Sequence, residues 1–163
     1  MRRKNIEEQF EQNEDTQKGK FLTFSLGKEL YGIGILHVTE IVGIQPVTEV
    51  PELPEYIKGI INLRGNIIPV MDVRVKFKKN VVEYNDRTCI IVIDTGKIAI
   101  GLIVDEVSEV LSIPDKDIIS PPKINKSGKK YIKNIGKIEN NIILILDCEK
   151  LLDEEVVDSL SNL

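Results

Sequence analysis

Asp94 is the residue whose surroundings most suggest catalysis. It ends the apolar run IVI and is followed by Thr95 and Gly96, so the segment reads IVIDTG. A carboxylate in this setting can do acid–base chemistry on a peptide bond when a second carboxylate shares its proton. The four residues from Asp94 to Lys97 also have the types that form a hairpin turn between two strands. The segment therefore supports two hypotheses, a catalytic aspartate and a structural turn.

An internal repeat of the chain favours the structural turn over the catalytic aspartate. IVIDTG resembles the motif of retroviral-type aspartic proteases, which take their two aspartates from two lobes or two subunits. The residue that matches Asp94 in the repeat is Ser25, so the duplication does not supply a second carboxylate. Lys97 follows Gly96, and a cationic side chain there would disturb a shared proton. A protease that uses Asp94 is the alternative function, which we disfavour.

Other residues that carry chemistry are few and isolated. The chain has one histidine, His37, and two cysteines, Cys89 and Cys148, each inside or next to an apolar run. One histidine cannot make a histidine-based metal site, and no Cys-x-x-Cys or His-Glu-x-x-His spacing occurs. Small buried thiols are common in cores. We therefore expect neither a metal site nor covalent catalysis.

The amino-acid composition argues against two classes of partner, nucleic acid and anionic membrane surfaces. The 163 residues carry 22 Lys and Arg against 26 Asp and Glu, a formal net charge of −4. This balance lacks the basic excess that binds nucleic acid or an anionic membrane surface. No stretch approaches the ~20 apolar residues of a membrane span. Residues 1–18 are rich in Glu, Gln, Asn and Lys, which predicts a disordered or weakly helical tail. We expect a cytosolic chain of single-domain size.

Two stretches of the chain each occur twice, in the same order. Residues 27–44 align with residues 96–113 at an offset of 69, and residues 57–72 align with residues 132–147 at an offset of 75. Short runs rich in Ile and Val, separated by Gly, Pro, Asn and Asp, predict many short strands. The chain is therefore predicted to be mostly β and to contain two similar subdomains. Matched pairs include Gly32/Gly101, Glu40/Glu109, Asn66/Asn141 and Asp72/Asp147.

Each repeat unit predicts the same series of elements. Two strands joined by a Gly-Lys turn are followed by a short helical or irregular piece, at residues 36–41 and 105–110, and then by a hairpin. The hairpin turns, RGN at 64–66 and ENN at 139–141, contain residue types that accept positive φ. The two units are therefore expected to share their local architecture.

The residues at the end of each unit predict the start of a helix and the limits of the subdomains. Asp72 and Asp147 are suited to cap a helix N-terminus, and the apolar spacing that follows predicts one amphipathic helix over residues 148–163. The subdomains are predicted to cover about 19–80 and about 85–148. Neither is large enough to bury a sufficient core alone, so the two are expected to share a central core.

Four segments together carry a resemblance to a known family. They are VTEIV at 38–42, IKGIINLRGNIIPVMDVRVKF at 57–77, NDRTCIIVI at 85–93 and GLIVDEVSEVL at 101–111. In combination they resemble CheW, the coupling-protein family of bacterial chemotaxis, and a CheW-like domain is expected over residues 19–153. The resemblance implies two five-stranded, SH3-like β-barrel subdomains with a shared core, which agrees with the repeat.

The same resemblance implies a function. The chain would be a non-enzymatic adaptor that joins the cytoplasmic tip of methyl-accepting chemoreceptors to the histidine kinase CheA, through the CheW-like regulatory domain of that kinase. It would act in the cytoplasm, at the inner face of the membrane, as part of receptor arrays. The resemblance implies no cofactor.

The resemblance also assigns a receptor-binding site. Val38, Glu40 and Arg64 fall on family positions associated with receptor docking. A receptor tip is a helical bundle with a mixed apolar and charged surface. Docking is therefore expected to need an apolar floor, from Val38, Ile41 and Ile67, and a charged rim, from Glu40 and Arg64.

Further positions are expected to support this site. By the resemblance, Gly59, Asn62 and Gly65 shape the turns around the docking residues. Gly101 and Val110 lie in the matching elements of the second subdomain. These five residues are expected to position the receptor-binding side chains.

Arg64 has two possible roles. Its planar guanidinium can hold a carboxylate with two hydrogen bonds, either that of Glu40 in the same chain or one from a partner, and it can exchange between them. The repeat places Glu139 at the position of Arg64 while Asn141 and Asp147 are retained. A position that accepts glutamate in the second copy is not required by the fold to be arginine. Arg64 is therefore predicted to serve recognition.

Overall fold

The computed structural model of the chain describes residues 18–122, 130–161 and 163. The predicted tail therefore lies outside the described residues, apart from Lys18. Strands dominate the part that is described, as the sequence predicts. The strands are β1 (Lys20–Leu26), β2 (Glu29–Gly34), β3 (Val38–Gly43), β4 (Ile57–Leu63), β5 (Asn66–Asp72), β6 (Cys89–Asp94), β7 (Ala99–Val104), β8 (Glu106–Ser112), β9 (Ile118–Ile119), β10 (Ile132–Ile138) and β11 (Asn141–Leu146). The helices are α1 (Val73–Lys76), α2 (Cys148–Leu151) and α3 (Glu154–Leu160), with 3-10 turns at Ile35–His37 and Asp115–Asp117.

The strands form two sheets. One has six strands in the order β8-β1-β2-β11-β10-β9, and the other has five strands in the order β3-β6-β7-β5-β4. Neighbouring strands are antiparallel, except that β2 runs parallel to β11 and β7 runs parallel to β5. At the offsets of the sequence repeat, β1 to β5 match β6, β7, β8, β10 and β11. The two sheets therefore have the same strand order, and the six-stranded sheet adds β9 at one edge.

Each sheet combines strands from both halves of the sequence. The hairpin β1–β2 lies in the sheet of β8, β10 and β11, and the hairpin β6–β7 lies in the sheet of β3, β4 and β5. The predicted division at about 19–80 and about 85–148 follows the repeat and does not coincide with the sheets. The repeat could not reveal this exchange, because β1 and β6 have similar apolar patterns and suit either sheet equally well.

Close packing of side chains from neighbouring strands explains one glycine in each unit. A Cβ at Gly101 would lie 2.6 Å from Ile90 Cγ2 and 3.0 Å from Val70 Cγ1, and a Cβ at Gly32 would lie 3.1 Å from Ile143 Cγ2. Contacts this short require the neighbouring side chains to move, which is costly in a close-packed core. Glycine at both positions lets large side chains of adjacent strands occupy the space beside it.

The predicted shared core is confirmed. The largest buried cluster takes side chains from both sheets, such as Phe24 and Ile33 from one and Ile91 and Leu102 from the other, and it includes Val156 of α3. Two smaller clusters each belong to a single sheet. The cluster of the five-stranded sheet contains Ile61, Leu63, Val70, Ile90, Val92 and Ile103, and that of the six-stranded sheet contains Ile113, Ile143 and Ile145.

The C-terminal region differs from the prediction of a single helix over residues 148–163. Two short helices, α2 and α3, are separated at Leu152 and Asp153. Asp153 causes the break, because its side chain accepts a hydrogen bond from Val156 N and caps a new helix. The predicted caps at Asp72 and Asp147 are confirmed, since each carboxylate accepts hydrogen bonds from backbone N–H groups of the following turn.

The prediction of helical or irregular pieces at residues 36–41 and 105–110 is wrong for most of their length. Only the 3-10 turn Ile35–His37 is helical, and β3 and β8 form directly where the pieces were expected. Strand β3 pairs with β6 and β8 pairs with β1. These partners come from distant parts of the chain, so long-range pairing overrides the weak local preference.

Candidate functional site

Arg64 lies at the tip of the β4–β5 hairpin. Arg64 and Gly65 have positive φ values of 53° and 90°, the conformation of the two central residues of a tight hairpin turn. The Asn62 side chain accepts a hydrogen bond from Gly65 N at 2.8 Å, which holds the turn. Glu139, the repeat match of Arg64, has the same φ of 53°. The turn therefore determines the backbone conformation at this position, but it does not determine which side chain occurs there.

Arg64 forms an ion pair with Glu40 of β3. Its Nη2 donates to Glu40 Oε2 at 2.5 Å, and the two side chains are 70% and 31% exposed. Strands β3 and β4 are opposite edges of the five-stranded sheet, so the pair shows that the sheet curls until its edges meet. A bulge between Val38 and Glu40 shifts the register of β3 just before Glu40, and bulges re-aim side chains in this way.

The predicted docking residues do not all reach the surface. Ile67 is 58% exposed and lies on β5, opposite Asn62. Ile41 is half-buried against the shared core. Val38, which the apolar floor was predicted to include, is 3% exposed. It supports β3 from the core side, because strand residues on that face contribute to the shared core.

The supporting residues of the second unit lie in different sheets. Gly101 lies in the middle of β7, in the same sheet as Arg64. Val110 lies on β8 of the other sheet, half-buried against the shared core. Neither takes part in the Glu40–Arg64 pair. The structure therefore brings together Glu40, Asn62, Arg64, Gly65 and Ile67 around one hairpin.

Gly59 lies inside strand β4 rather than in a turn. Its φ is 147°, and a Cβ there would lie 2.1 Å from Thr48 O and 2.8 Å from Thr48 C. Thr48 and Ile60 exchange two backbone hydrogen bonds of 2.9 Å, which bring the Thr48 backbone close to the strand. The register of β4 shifts between Ile57 and Gly59. Gly59 therefore permits a bulge covered by a neighbouring backbone segment.

Asp94 forms the turn that the sequence favours. It ends β6, pairs with Ala99 of β7, and its Oδ1 accepts a hydrogen bond from Gly96 N at 2.7 Å. Asp94 is exposed, and its repeat match, Ser25, lies on β1 of the other sheet. The carboxylate has a structural partner within its own hairpin. The segment IVIDTG is thus a strand followed by a turn.

The Asp94 turn leads to a prediction of small effect. Asp94→Asn keeps an oxygen that can accept from Gly96 N, so the free energy of unfolding should change by no more than about 0.5 kcal/mol. Thermal unfolding of both proteins measures this. Asp94→Ala serves as the control, because it removes the acceptor and should cost about 1 kcal/mol. A larger loss in Asp94→Asn than in Asp94→Ala would contradict this account of the turn.

The cysteines are structural. Burial raises the pKa of the Cys148 thiol to about 12, so the thiol stays protonated and unreactive at neutral pH. Cys89 is half-buried at the start of β6. Among the residues that the structure describes, no group of three or more His, Cys, Asp and Glu side chains could hold a metal ion.

A second, less exposed ion pair joins the two sheets. Arg74 of α1 donates from Nε and Nη2 to the two carboxylate oxygens of Asp105, at 2.7 and 2.5 Å. Asp105 also accepts from Gly27 N, in the β1–β2 turn, at 2.7 Å. The side chains of Arg74 and Asp105 are 12% and 24% exposed. The Arg74 guanidinium, mainly through its hydrogen bonds, holds the pKa of Asp105 below its usual range.

Helix α3 is attached through a lysine packed between aromatic rings. Lys76 Nζ lies 4.1 Å from the centroid of the Tyr56 ring and 3.4 Å from Asp153 Oδ2. The Lys76 side chain is 5% exposed. Tyr56 OH donates to Glu155 Oε1 at 2.8 Å. These contacts fix the first turn of α3 against the segments before β4 and at the end of α1.

An open apolar groove runs between α3 and the five-stranded sheet. It encloses about 360 Å³, with Ile60, Ile67 and Pro69 on the sheet and Val157 and Leu160 on the helix. The sequence predicted Ile67 as a site residue but did not indicate that the C-terminal helix lies opposite it. The amphipathic spacing of the C-terminal region was a usable signal, but a single predicted helix could not show that Val156 faces the core while Val157 faces the groove.

Comparison with known proteins assigns the fold to a family. The family model for the CheW-like domain matches residues 20–156. The chain belongs to the CheW family. It is 39% identical over 149 residues to the chemotaxis protein CheW of Klebsiella aerogenes, covering 91% of this chain and 90% of that relative. It is 36% identical over 137 residues to the chemotaxis protein CheW of Bacillus subtilis, covering 83% and 88%.

A solved structure from the CheW family has the same fold. The crystal structure of the scaffolding protein TtCheW from Thermoanaerobacter tengcongensis superposes with a TM-score of 0.78 at 37% sequence identity, covering 85% of this chain and 94% of that chain. CheW family membership confirms the prediction of a non-enzymatic chemotaxis adaptor. The aspartic protease hypothesis has no support. In the part of the chain that the structure describes, no helix is both long enough and apolar enough to cross a membrane.

Proposed function

We propose that this chain couples chemoreceptors to a histidine kinase. Its partners are the cytoplasmic tip of methyl-accepting chemoreceptors and the CheW-like regulatory domain of CheA, and it acts at the inner face of the membrane within receptor arrays. The proposal draws on membership of the CheW family, whose relatives are named as chemotaxis proteins.

We further propose that the receptor docks at the β4–β5 hairpin. The observation that carries this proposal is the Glu40–Arg64 pair beside the exposed Ile67, at a turn position where the repeat has Glu139 with the same φ. An exposed ion pair contributes only about 0–1 kcal/mol to stability, so the pair with Glu40 adds little to the stability of the fold. Arginine at a rim beside an apolar side chain is a common arrangement in binding sites.

The geometry suggests how docking would work. Arg64 is largely exposed while it is bound to Glu40, so its side chain is accessible to a carboxylate from the receptor. Because water screens the Glu40–Arg64 pair, exchanging one carboxylate for another costs little. Ile67 would lose its exposed surface on docking, and this supplies a favourable hydrophobic contribution. Val38 and Ile41 would hold β3 in place from the core side.

Charge reversal at the hairpin tests the docking site. Arg64→Glu should weaken binding of a receptor cytoplasmic fragment by about tenfold or more, because it removes the cation and places a carboxylate beside Glu40. Binding of the CheA regulatory domain should change less than about twofold. Both affinities are measured by titration calorimetry on protein whose thermal unfolding is close to that of the wild type.

Glu139→Arg is the matched control, since it reverses the charge at the repeat match of Arg64, which has the same φ of 53° and lies in the other sheet. It should leave receptor binding within about twofold of the wild type. If folded wild-type protein binds neither the receptor fragment nor the kinase domain, the adaptor proposal fails. If Arg64→Glu binds the receptor as well as the wild type, the docking site lies elsewhere.

A further inference from the structure

Open space borders helix α3 on two sides. The groove between α3 and the five-stranded sheet encloses about 360 Å³, and a second cleft of about 420 Å³ lies between α3, α2 and the turn that joins β6 to β7. Lys97, Ile98 and Val157 line both the groove and the cleft. Val157 thus lies between two open spaces, and α3 is closely packed along only part of its surface.

The apolar attachment of α3 depends mainly on one side chain. Val156 is fully buried in the shared core, whereas Val157 and Leu160 are half-buried. Helix α2 is anchored more strongly, because Cys148 and Leu151 are both buried in the same core. Burial of one valine contributes only a small part of the stabilisation of a domain. Helix α3 therefore has little apolar burial of its own to hold it in place.

Polar contacts at the first turn of α3 complete its attachment. Lys76 Nζ lies 3.4 Å from Asp153 Oδ2, and it lies 4.1 and 5.5 Å from the ring centroids of Tyr56 and Tyr131. Tyr56 OH donates to Glu155 Oε1 at 2.8 Å. Tyr131 is the repeat match of Tyr56. The buried ammonium group is thus held by equivalent rings of the two repeat units and by the residue that caps α3.

The junction between α2 and α3 has the backbone of a hinge. Leu152 ends α2 with φ −96° and ψ 62°, and Asp153 precedes α3 with φ −69° and ψ 180°, so neither residue is helical. The Asp153 carboxylate accepts from Val156 N and gives α3 its own cap. Helix α3 can therefore separate from the core without unwinding α2.

We propose that α3 is a lid that opens and closes on the shared core as a unit, with Lys76 as its latch. Opening rotates α3 about Leu152 and Asp153, withdraws Val156 from the core and joins the groove and the cleft into one apolar surface. Local openings of this kind cost less free energy than global unfolding. The inference goes beyond the proposed function, because it does not depend on which partner the chain binds.

Hydrogen–deuterium exchange measured by NMR on the full-length protein tests the lid. Val157 N, which donates to Asp153 O, reports on α3, and Leu152 N, which donates to Cys148 O, reports on α2. In the wild type, the protection factor of Val157 N should be at least about tenfold lower than that of Leu152 N. Lys76→Met removes the ammonium group and keeps an unbranched apolar side chain. It should raise the exchange rate of Val157 N by about tenfold and leave Leu152 N within about twofold.

Tyr56→Phe is a second, milder variant. It keeps the ring beside Lys76 and removes only the hydroxyl that donates to Glu155. The exchange rate of Val157 N should rise by about threefold to tenfold. Lys79→Met is the matched control, because Lys79 Nζ lies 3.0 Å from Glu29 Oε1, at the start of β2 and not on α3. It should leave the exchange rate of Val157 N within about twofold of the wild type.

The other outcomes overturn the inference. If Val157 N is as well protected as Leu152 N in the wild type, α3 does not open separately. If Lys76→Met speeds exchange of Val157 N and Leu152 N equally, Lys76 stabilises the whole fold and is not a latch. If it speeds exchange only at Ser161 N, which donates to Val157 O, the helix frays at its end and does not open as a unit.

Discussion

Gly59→Ala is expected to lower the free energy of unfolding by about 3 kcal/mol or more. The added Cβ would lie 2.1 Å from Thr48 O, and the φ of 147° is unfavourable for any residue with a side chain. Thr48 cannot retreat without breaking its two hydrogen bonds to Ile60. For a domain of this size, the melting temperature should fall by about 6–12 °C.

Gly43→Ala is the control for this substitution. Gly43 is also a strand glycine of the five-stranded sheet, but no atom lies within 4 Å of the position of its Cβ. Its replacement should change stability by no more than about 0.5 kcal/mol. Chemical denaturation of the two variants compares the effects directly. Equal losses in Gly59→Ala and Gly43→Ala would show that the Thr48 contact does not require glycine.

Asp105→Ala is expected to cost about 3 kcal/mol at neutral pH. The substitution leaves the Arg74 guanidinium, whose side chain is 12% exposed, without the carboxylate that accepts two of its hydrogen bonds. Gly27 N also loses its acceptor. Since Gly27 joins β1 to β2 and Arg74 follows β5, the loss weakens a connection between the two sheets.

The exposed ion pair provides the comparison for Asp105. Glu40→Ala removes one carboxylate partner of Arg64, whose side chain is 70% exposed, and should cost less than about 1 kcal/mol. Replacing Arg74 by methionine in the Asp105→Ala background should recover part of the loss, because no unpaired cation remains. If Asp105→Ala and Glu40→Ala lower the free energy of unfolding equally, burial does not make the Arg74–Asp105 pair more important for stability than the Glu40–Arg64 pair.

The contribution of Asp105 should depend on pH. Arg74 holds the pKa of Asp105 below its usual range in the folded protein. A carboxyl group with a lower pKa in the folded state stabilises fully above its unfolded pKa, about 4, and this stabilisation is lost as the pH falls through the folded pKa. The stability difference between wild type and Asp105→Ala should therefore shrink below about pH 4. Urea denaturation at pH 7 and pH 3 measures this, and a constant difference would contradict it.

Local features of the fold were predictable from the sequence because neighbouring residues determine them. The carboxylates of Asp72 and Asp147 cap the helices that directly follow them. Positive φ occurs at Arg64, Gly65 and Glu139, within the two segments where turns were predicted. The repeat predicted two similar units, and their small size predicted a shared core. The resemblance to CheW, carried by motifs of the same segments, agrees with the family that the comparisons identify.

Features that depend on pairing between distant segments were not predictable in this way. The apolar patterns of β1 and β6 do not indicate which sheet each strand joins. The sequence therefore did not predict the exchange of hairpins between the sheets. Residues 36–41 and 105–110 have weak local preferences, and pairing with β6 and β1 makes most of them strands. The prediction of one C-terminal helix failed because the cap at Asp153 competes with helix continuation.

At the candidate site too, local features were predictable from the sequence and long-range contacts were not. The sequence by itself determined the hairpin and its turn, and the glutamate at position 139 indicated that Arg64 is not needed for folding. Only the tertiary structure decided that Arg64 reaches Glu40, that Val38 is buried, and that α3 faces Ile67 across a groove. The physical reason is that turns and caps depend on hydrogen bonds within a few residues. The curl of the sheet and the position of α3 depend on side-chain packing between elements far apart in the sequence.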